Sequence, residues 1–252
     1  MNVEFLGVGS CMPEYEQADT ASLLVNRHIL VDTGWHVIRN LLRTGVNPRD
    51  ITALFFTHMH QDHYMSLAAL LFYLMNGYHS FGSLEIYGPE DVGKYVDMAL
   101  TYGGYEMYYS ECETPAVHAL AEEQTVSLGD IQVSCIASKH AVPGRCYRFQ
   151  DIAAGGSFVY SGDTAPFDAL AEFARGSDVL IHEASFQTRE TPADNPYCHS
   201  SAMDAAHAAA KAGVKTLYMV HAASASREAT IAAAGEIFPD CRRPMEGDSF
   251  CV

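Results

Sequence analysis

Thr57-His58-Met59-His60-Gln61-Asp62-His63 sets three histidines and an aspartate directly behind the apolar run Leu54-Phe55-Phe56. The run reads as a buried strand, and a tight loop at its end can aim alternate side chains at one point. Imidazole nitrogen and carboxylate oxygen are the donors that borderline cations such as Zn²⁺ prefer. His58 and His60 can therefore share one ion, while Asp62 and His63, turned the other way in the same loop, can bind a second. A single histidine here would read as a surface residue. Four liganding side chains at this spacing read as a metal site.

Histidine or aspartate recurs just past other apolar runs. His140 follows Val133-Ser134-Cys135-Ile136-Ala137, Asp163 follows Phe158-Val159-Tyr160-Ser161-Gly162, and His221 follows Leu217-Tyr218-Met219-Val220. Sites are assembled from loops at one edge of a rigid sheet, so these residues converge if their strands run the same way. The resulting division puts His58, His60 and His140 on one ion and Asp62, His63 and His221 on the other, with Asp163 bridging and open positions left for solvent. Read singly, His140 or His221 could equally be a satisfied core histidine, and Asp163 could make only an Asx-turn. His28, His36, His79, His118, His182 and His207 lack such a context and receive no role.

The chain has 252 residues, which fits one domain spanning 1–252. Hydrophobic residues at 48% and charged residues at 18% are ordinary for a globular protein. The net charge of −16 comes from 31 acidic against 15 basic residues, of which only Lys94, Lys139, Lys211 and Lys215 are lysines. Nucleic-acid binding draws its affinity from Lys/Arg contacts with phosphates, so this balance argues against a long RNA or DNA partner. The strongly apolar stretch 65–75 is shorter than the roughly 20 residues a membrane span needs. No secretory leader pattern opens the chain, and the scattered cysteines form no Cys-x-x-Cys pair, so a cytoplasmic protein with reduced thiols is expected.

Apolar runs alternate with helical patterns, as in an α/β or mixed sandwich fold. The spacing predicts strands near 2–7, 21–26, 28–32, 53–57, 84–87, 131–137, 146–149, 157–161, 179–182 and 216–220. Helices are predicted near 35–44, 64–76, 90–101, 166–175, 201–212 and 225–236. The Ala-rich 201–212 segment has Ser200 or Ser201 as its cap and Gly213 as its stop. Thr164 with Pro166 suggests the start of the 166–175 helix. The aromatic, glycine-punctuated segment 102–109 suggests a lid or a subunit contact.

Together these residues resemble the metallo-β-lactamase superfamily, and within it the ribonuclease Z and small phosphodiesterase branch, nearly end to end. Phe5-Leu6-Gly7-Val8-Gly9-Ser10 is similar to that branch's glycine-rich first turn, and Val31-Asp32-Thr33-Gly34 to the superfamily's strand ending in a structural aspartate. Thr57 to His63, His140, Ser161-Gly162-Asp163-Thr164, His182-Glu183-Ala184-Ser185-Phe186, His199-Ser200-Ser201-Ala202 and His221 follow in the branch's order. The resemblance implies a four-layer αβ/βα sandwich, two mixed β-sheets flanked by helices, with a dinuclear centre in the cleft between the sheets. It also implies that His199 is a proton donor or transition-state contact and that Glu183 orients it. Read alone, His199 would be a surface residue before a helix and Glu183 an arginine's partner. Asp32 is expected to support a metal-bound histidine through a hydrogen bond. Gly7 and Gly9 read as a tight turn at the rim of the cleft, because the third glycine of a dinucleotide fingerprint is missing.

Two adjacent cations lower the pKa of a bridging water and neutralise charge on the attacking and leaving oxygens. The expected reaction is hydrolysis by a metal-bridging hydroxide, with Asp62 accepting the second proton and His199 protonating the leaving oxygen. Long-arm ribonuclease Z enzymes insert a tRNA-binding arm between the positions of His140 and Asp163, and the short interval here has no room for one. A small or cyclic phosphodiester, such as a cyclic nucleotide or cyclic sugar phosphate, is therefore the expected substrate. Alternatives are a short-armed ribonuclease Z-like RNA endonuclease, or a lactone, thioester or β-lactam hydrolase. A non-catalytic metal-binding assembly protein is an alternative of another class. The dioxygen-reducing branch carries glutamate where this chain has His60, which argues against redox chemistry. The mixed nitrogen and oxygen donors suit Zn²⁺, with Mn²⁺ and Fe²⁺ as competitors. Resembling enzymes are often dimers; the sequence leaves the oligomeric state open, with a homodimer among the alternatives.

Overall fold

The computed structural model describes every residue except Tyr109, so that one position of the suggested 102–109 lid or subunit contact lies outside the described residues. Two seven-stranded mixed sheets form its frame. The first contains β1 (Asn2–Gly7), β2 (Ser22–Val25), β3 (Ile29–Val31), β4 (Ala53–Phe55), β5 (Glu85–Gly88) and β6 (Ala116–Ala119). The second contains β7 (Thr125–Leu128), β8 (Ile131–Ala137), β9 (Arg145–Asp151), β10 (Ser157–Tyr160), β11 (Val179–Glu183), β12 (Thr216–Val220) and β13 (Cys241–Arg242). The chain then returns as β14 (Ser249–Cys251) to pair with β1 on the edge of the first sheet. Helices α1 (Val37–Arg43), α2 (Gln61–Tyr64), α3 (Leu67–Tyr78), α4 (Val92–Tyr102) and α5 (Tyr105–Tyr108) belong to the first half, and α6 (Asp168–Ala174), α7 (Ala202–Ala212) and α8 (Arg227–Gly235) to the second.

Alternate residues of a strand face opposite sides of its sheet, and in the central strands both sides are dry. Val3 and Phe5 of β1, Leu23 and Val25 of β2 and Phe55 of β4 point inward to meet Tyr147, Phe149, Phe158 and Tyr218 from the second sheet. Leu24, Leu30 and Leu54 point outward to α1, α3 and α4. On the other half, Val159, Leu180, Leu217 and Met219 pack beneath the alanines of α7. Small side chains on α7 let its backbone approach the sheet closely. Between the sheets, Phe149 stacks on Phe158 with ring centroids 4.9 Å apart, and Phe5 meets Tyr218 at 5.2 Å. Each such aromatic contributes about 1.5–3 kcal/mol by leaving water. Tyr147 carries a hydroxyl into this core and satisfies it on the Phe56 carbonyl at 2.7 Å.

Ten strands lie where the apolar runs place them, apart from end residues. Strands β6, β7, β13 and β14 are additions: they are short and sit at or near sheet edges, where little burial is needed and the apolar signal fades. The 166–175 helix begins only at Asp168, because Thr164 is fully buried and holds the Lys139 amide and the Glu183 carboxylate instead of capping a helix. The 64–76 helix is divided into α2 and α3 around Met65 and Ser66. The Ser66 hydroxyl turns back to the carbonyls of Thr33 and Gly34 at 3.0 Å. Ser201 caps α7 in a full capping box with Asp204, and Gly213 closes it at φ +72°. Among the described residues no helix is long and apolar enough to cross a membrane.

Candidate metal centre

Strands β10, β11 and β12 are mutually parallel, and β8 is antiparallel to β9, which is antiparallel to β10. All four therefore deliver their C-terminal ends to one edge. His140, Asp163 and His221 follow those ends, and Glu183 closes β11. From the facing sheet, parallel strands β3 and β4 bring Asp32 and the 57–63 segment to the same cleft. Asp62 and His63 do not sit in the expected loop. They form the turn α2, because the His60 carbonyl accepts hydrogen bonds from the amides of His63 and Tyr64.

Three imidazole nitrogens meet on one side. His60 Nδ1 lies 3.1 Å from His58 Nε2 and 3.0 Å from His140 Nε2. On the other side His221 Nε2 lies 3.2 Å from Asp62 Oδ2 and 3.4 Å from Asp163 Oδ2, and His63 Nε2 lies 3.4 and 3.5 Å from the same two oxygens. Asp163 Oδ2 is also 3.7 Å from His58 Nε2, so one oxygen faces both groups. A tetrahedral ion with bonds of about 2.0–2.1 Å separates its ligand atoms by about 3.3 Å. Both groups have that size. His63 Nε2 and Asp163 Oδ1 are buried without a hydrogen-bond partner, which is the donor state a cation would satisfy.

The ring atoms turned away from the cluster are fixed. His63 Nδ1 bonds Asp32 Oδ2 at 2.9 Å, His140 Nδ1 bonds the Cys198 carbonyl at 3.1 Å, and His221 Nδ1 bonds Ser185 Oγ at 2.8 Å. Such bonds set which nitrogen keeps its lone pair for an ion. Asp32 is itself held by the amide and hydroxyl of Thr57, each at 2.8 Å. Asp32 at φ +56° and His221 at φ +53° adopt left-handed backbone that non-glycine residues rarely take. Close approach also fixes Gly162, where a Cβ would come within 2.7 Å of Thr57 Cβ.

Electrostatics divide the cluster in two. Burial lowers the pKa of His58, His60 and His140, leaving neutral imidazoles ready to donate. Burial also opposes charge on His63 and His221, but the Asp163 carboxylate outweighs it, helped by Asp32 at His63 and Asp62 at His221. Both are held above the ordinary histidine range. Burial opposes ionisation of Asp163 and Asp62 too, yet His221 and His63 lower the first well below the carboxylate range, and His63 with His221 lowers the second. A cation binding between these groups would replace the protons on His63 and His221.

His199 stands over the cluster, its ring centroid 5.3 Å from His140 and 5.6 Å from His221. Its Nδ1 bonds Glu183 Oε1 at 2.7 Å, while Glu183 accepts from the amides of Thr164 and Ser185 as well. Burial opposes a charge on His199, but the hydrogen bond and charge of Glu183 prevail and raise its pKa to about 8. The structure thus brings together His58, His60, Asp62, His63, His140, Asp163, Glu183, His199 and His221. Ser185, Asn195 and the Cys198 carbonyl also face the site; Ser185 lies within the His182–Phe186 stretch, which gives it no role, and the other two carry no sequence signal, since such roles depend on which backbone or ring atom each group faces.

A family model described as a beta-lactamase superfamily domain matches residues 27–222. The ribonuclease Z of Geobacillus kaustophilus is 27% identical over 315 residues, covering 100% of this chain and 99% of that protein. The ribonuclease Z of Thermoplasma acidophilum is 28% identical over 237 residues, 76% of each. Among solved structures, the metallo-beta-lactamase fold protein YhfI of Bacillus subtilis has a TM-score of 0.81 at 22% identity, over 99% of this chain and 98% of its own. The short form of human tRNase Z gives 0.79 at 19% identity, over 100% and 99% of the two chains. A diphosphatase of the PhnP family gives 0.72 at 20%, over 100% and 97%. These structures share the fold, and the resemblance read from the sequence is borne out.

Proposed function

The chain belongs to the beta-lactamase superfamily and is a metal-dependent hydrolase resembling ribonuclease Z, and from that premise we propose that it hydrolyses a small or cyclic phosphodiester at a pair of divalent cations, zinc by preference. The observation that carries this reading is the His199–Glu183 pair beside the two ligand groups. A phosphodiester leaves behind an alkoxide or aryloxide that needs a proton, and a histidine kept cationic by a buried carboxylate supplies one.

His58, His60 and His140 would hold one ion, Asp62, His63 and His221 the other, and Asp163 both. Bound there, the cations would lower the pKa of water between them and offset charge on the phosphate oxygens. Asp62 accepts the proton that the attacking water gives up. Glu183 keeps the His199 proton on the ring and the ring turned toward the leaving oxygen. Asp32, Ser185 and the Cys198 carbonyl keep His63, His221 and His140 from rotating.

A second reading, RNA cleavage, is favoured by the name that the relatives carry. Against it stand the net charge of −16 and the short interval between His140 and Asp163. The alignment with the Geobacillus kaustophilus protein runs over 315 residues against the 252 of this chain, so that relative carries segments absent here. The two readings separate when the metal-loaded protein is given a cyclic nucleotide, a bis-aryl phosphate and a precursor tRNA. Turnover of the small esters with the tRNA uncut is expected. A cut tRNA with both small esters untouched would establish the second reading instead.

A further inference from the structure

The segment between β11 and α7 carries no regular secondary structure, yet it ends in His199, whose imidazole must be held to a fraction of an ångström. Its base is closed where the Phe186 amide meets the Ser200 carbonyl at 3.0 Å, and Thr191 hydrogen-bonds Asp204 in the first turn of α7. Neither contact touches His199. Two side chains of the segment do: Ser185 Oγ lies 3.3 Å from the ring Nδ1, and Asn195 holds the main chain, donating from Nδ2 to the His199 carbonyl at 2.9 Å and accepting the His199 amide on Oδ1 at 3.2 Å.

We propose that Asn195 is a positioning residue, clamping the main chain of His199 so that its imidazole meets the leaving oxygen. The inference rests on the phosphodiesterase reading given above. Glu183 fixes the ring through Nδ1, but a ring is only as well placed as the Cα from which it hangs. Asn195 fixes that Cα from both sides, one bond to each flanking peptide group. A primary amide supplies a donor and an acceptor together; a carboxylate lacks the donor and a hydroxyl is too short to span both. The backbone suits the residue as well. Asn195 has φ +28° and Cys198 has φ +53°, and asparagine is among the side chains that tolerate positive φ. The same turn presents the Cys198 carbonyl to His140 Nδ1, so the clamp lies one peptide from a candidate metal ligand without touching it.

The test compares wild type with Asn195→Gly, which tolerates the backbone angle while deleting the amide, and with Asn195→Asp, which keeps only the acceptor. The substrates are aryl methyl phosphodiesters that differ only in ring substituents, from nitrophenolate to phenolate leaving groups, with metal content measured on each protein. Nitrophenolate leaves without help, so its turnover should stay within about twofold of wild type. Phenolate needs the acid, so kcat should fall about tenfold to a hundredfold, with KM little changed. Asn195→Asp should show the same trend more weakly and decides the matter if the glycine variant fails to fold. In a His199→Ala background, Asn195→Gly should cause no further loss. Equal losses across the series, or none, in folded and metal-loaded variants would overturn the positioning role alone. No turnover of any ester by wild type would overturn the phosphodiesterase reading and this inference with it.

Discussion

At His199 two opposing effects set the charge. Burial disfavours the imidazolium, and the Glu183 carboxylate at 2.7 Å more than restores it, giving a pKa of about 8. A raised value means that the cationic form persists below about pH 8 and is lost above it. Turnover of a phosphodiester with a poor leaving group should therefore fall as pH rises through that region. Glu183→Gln removes the larger of the two carboxylate effects that oppose burial, leaving Asp163, and should move this alkaline limb to lower pH in a pH–kcat profile; an unmoved limb would dissociate it from His199. His199→Ala should lower kcat by about 10²-fold or more while elemental analysis finds metal content intact. Asp32 acts differently, through His63 Nδ1. Asp32→Asn should weaken metal affinity about 10- to 100-fold, read by chelator competition. An unchanged affinity would mean that Thr57 alone holds the loop.

At the scale of elements, the site depends on how closely the β10 and β4 ends approach each other. Gly162 at φ +55° packs against Thr57, with no room for a Cβ. Gly162→Ala should cost about 1–3 kcal/mol in stability and reduce metal occupancy, because Asp163 moves with the strand end. A variant with native melting temperature and full metal content would contradict this close fit. The elements legible in the sequence are those buried on both faces, such as β4 and β12, or capped by strong local chemistry, such as α7. The edge strands β6 and β7 were invisible because exposed residues leave no apolar pattern. The metal-site candidates were legible for a related reason: histidine and aspartate past strand ends are uncommon enough to register. Ser185 and Asn195 were not, since a hydroxyl or an amide gains its role only from the ring or peptide that tertiary structure sets against it.

Across the whole molecule, the cleft draws His58, His60, Asp62 and His63 from one half and His140, Asp163 and His221 from the other. Ions held as proposed would bind the folded chain and not the unfolded one, and so would add stability by mass action. Chelation should lower the melting temperature and abolish turnover together, and added Zn²⁺ should restore both. A melting temperature indifferent to chelator would mean that the two halves pack without help from the centre. The net charge of −16 also acts at this scale, through a field whose reach is set by ionic strength.

Phosphodiester hydrolysis at a dinuclear centre is the reaction we propose. It is tested most directly by assaying metal-analysed protein side by side on bis-aryl phosphate, cyclic nucleotide, lactone, thioester and β-lactam substrates. Two divalent ions per chain and turnover confined to the phosphodiesters are expected. Turnover of the lactone or thioester by the same loaded protein, with no phosphodiester consumed, would contradict it.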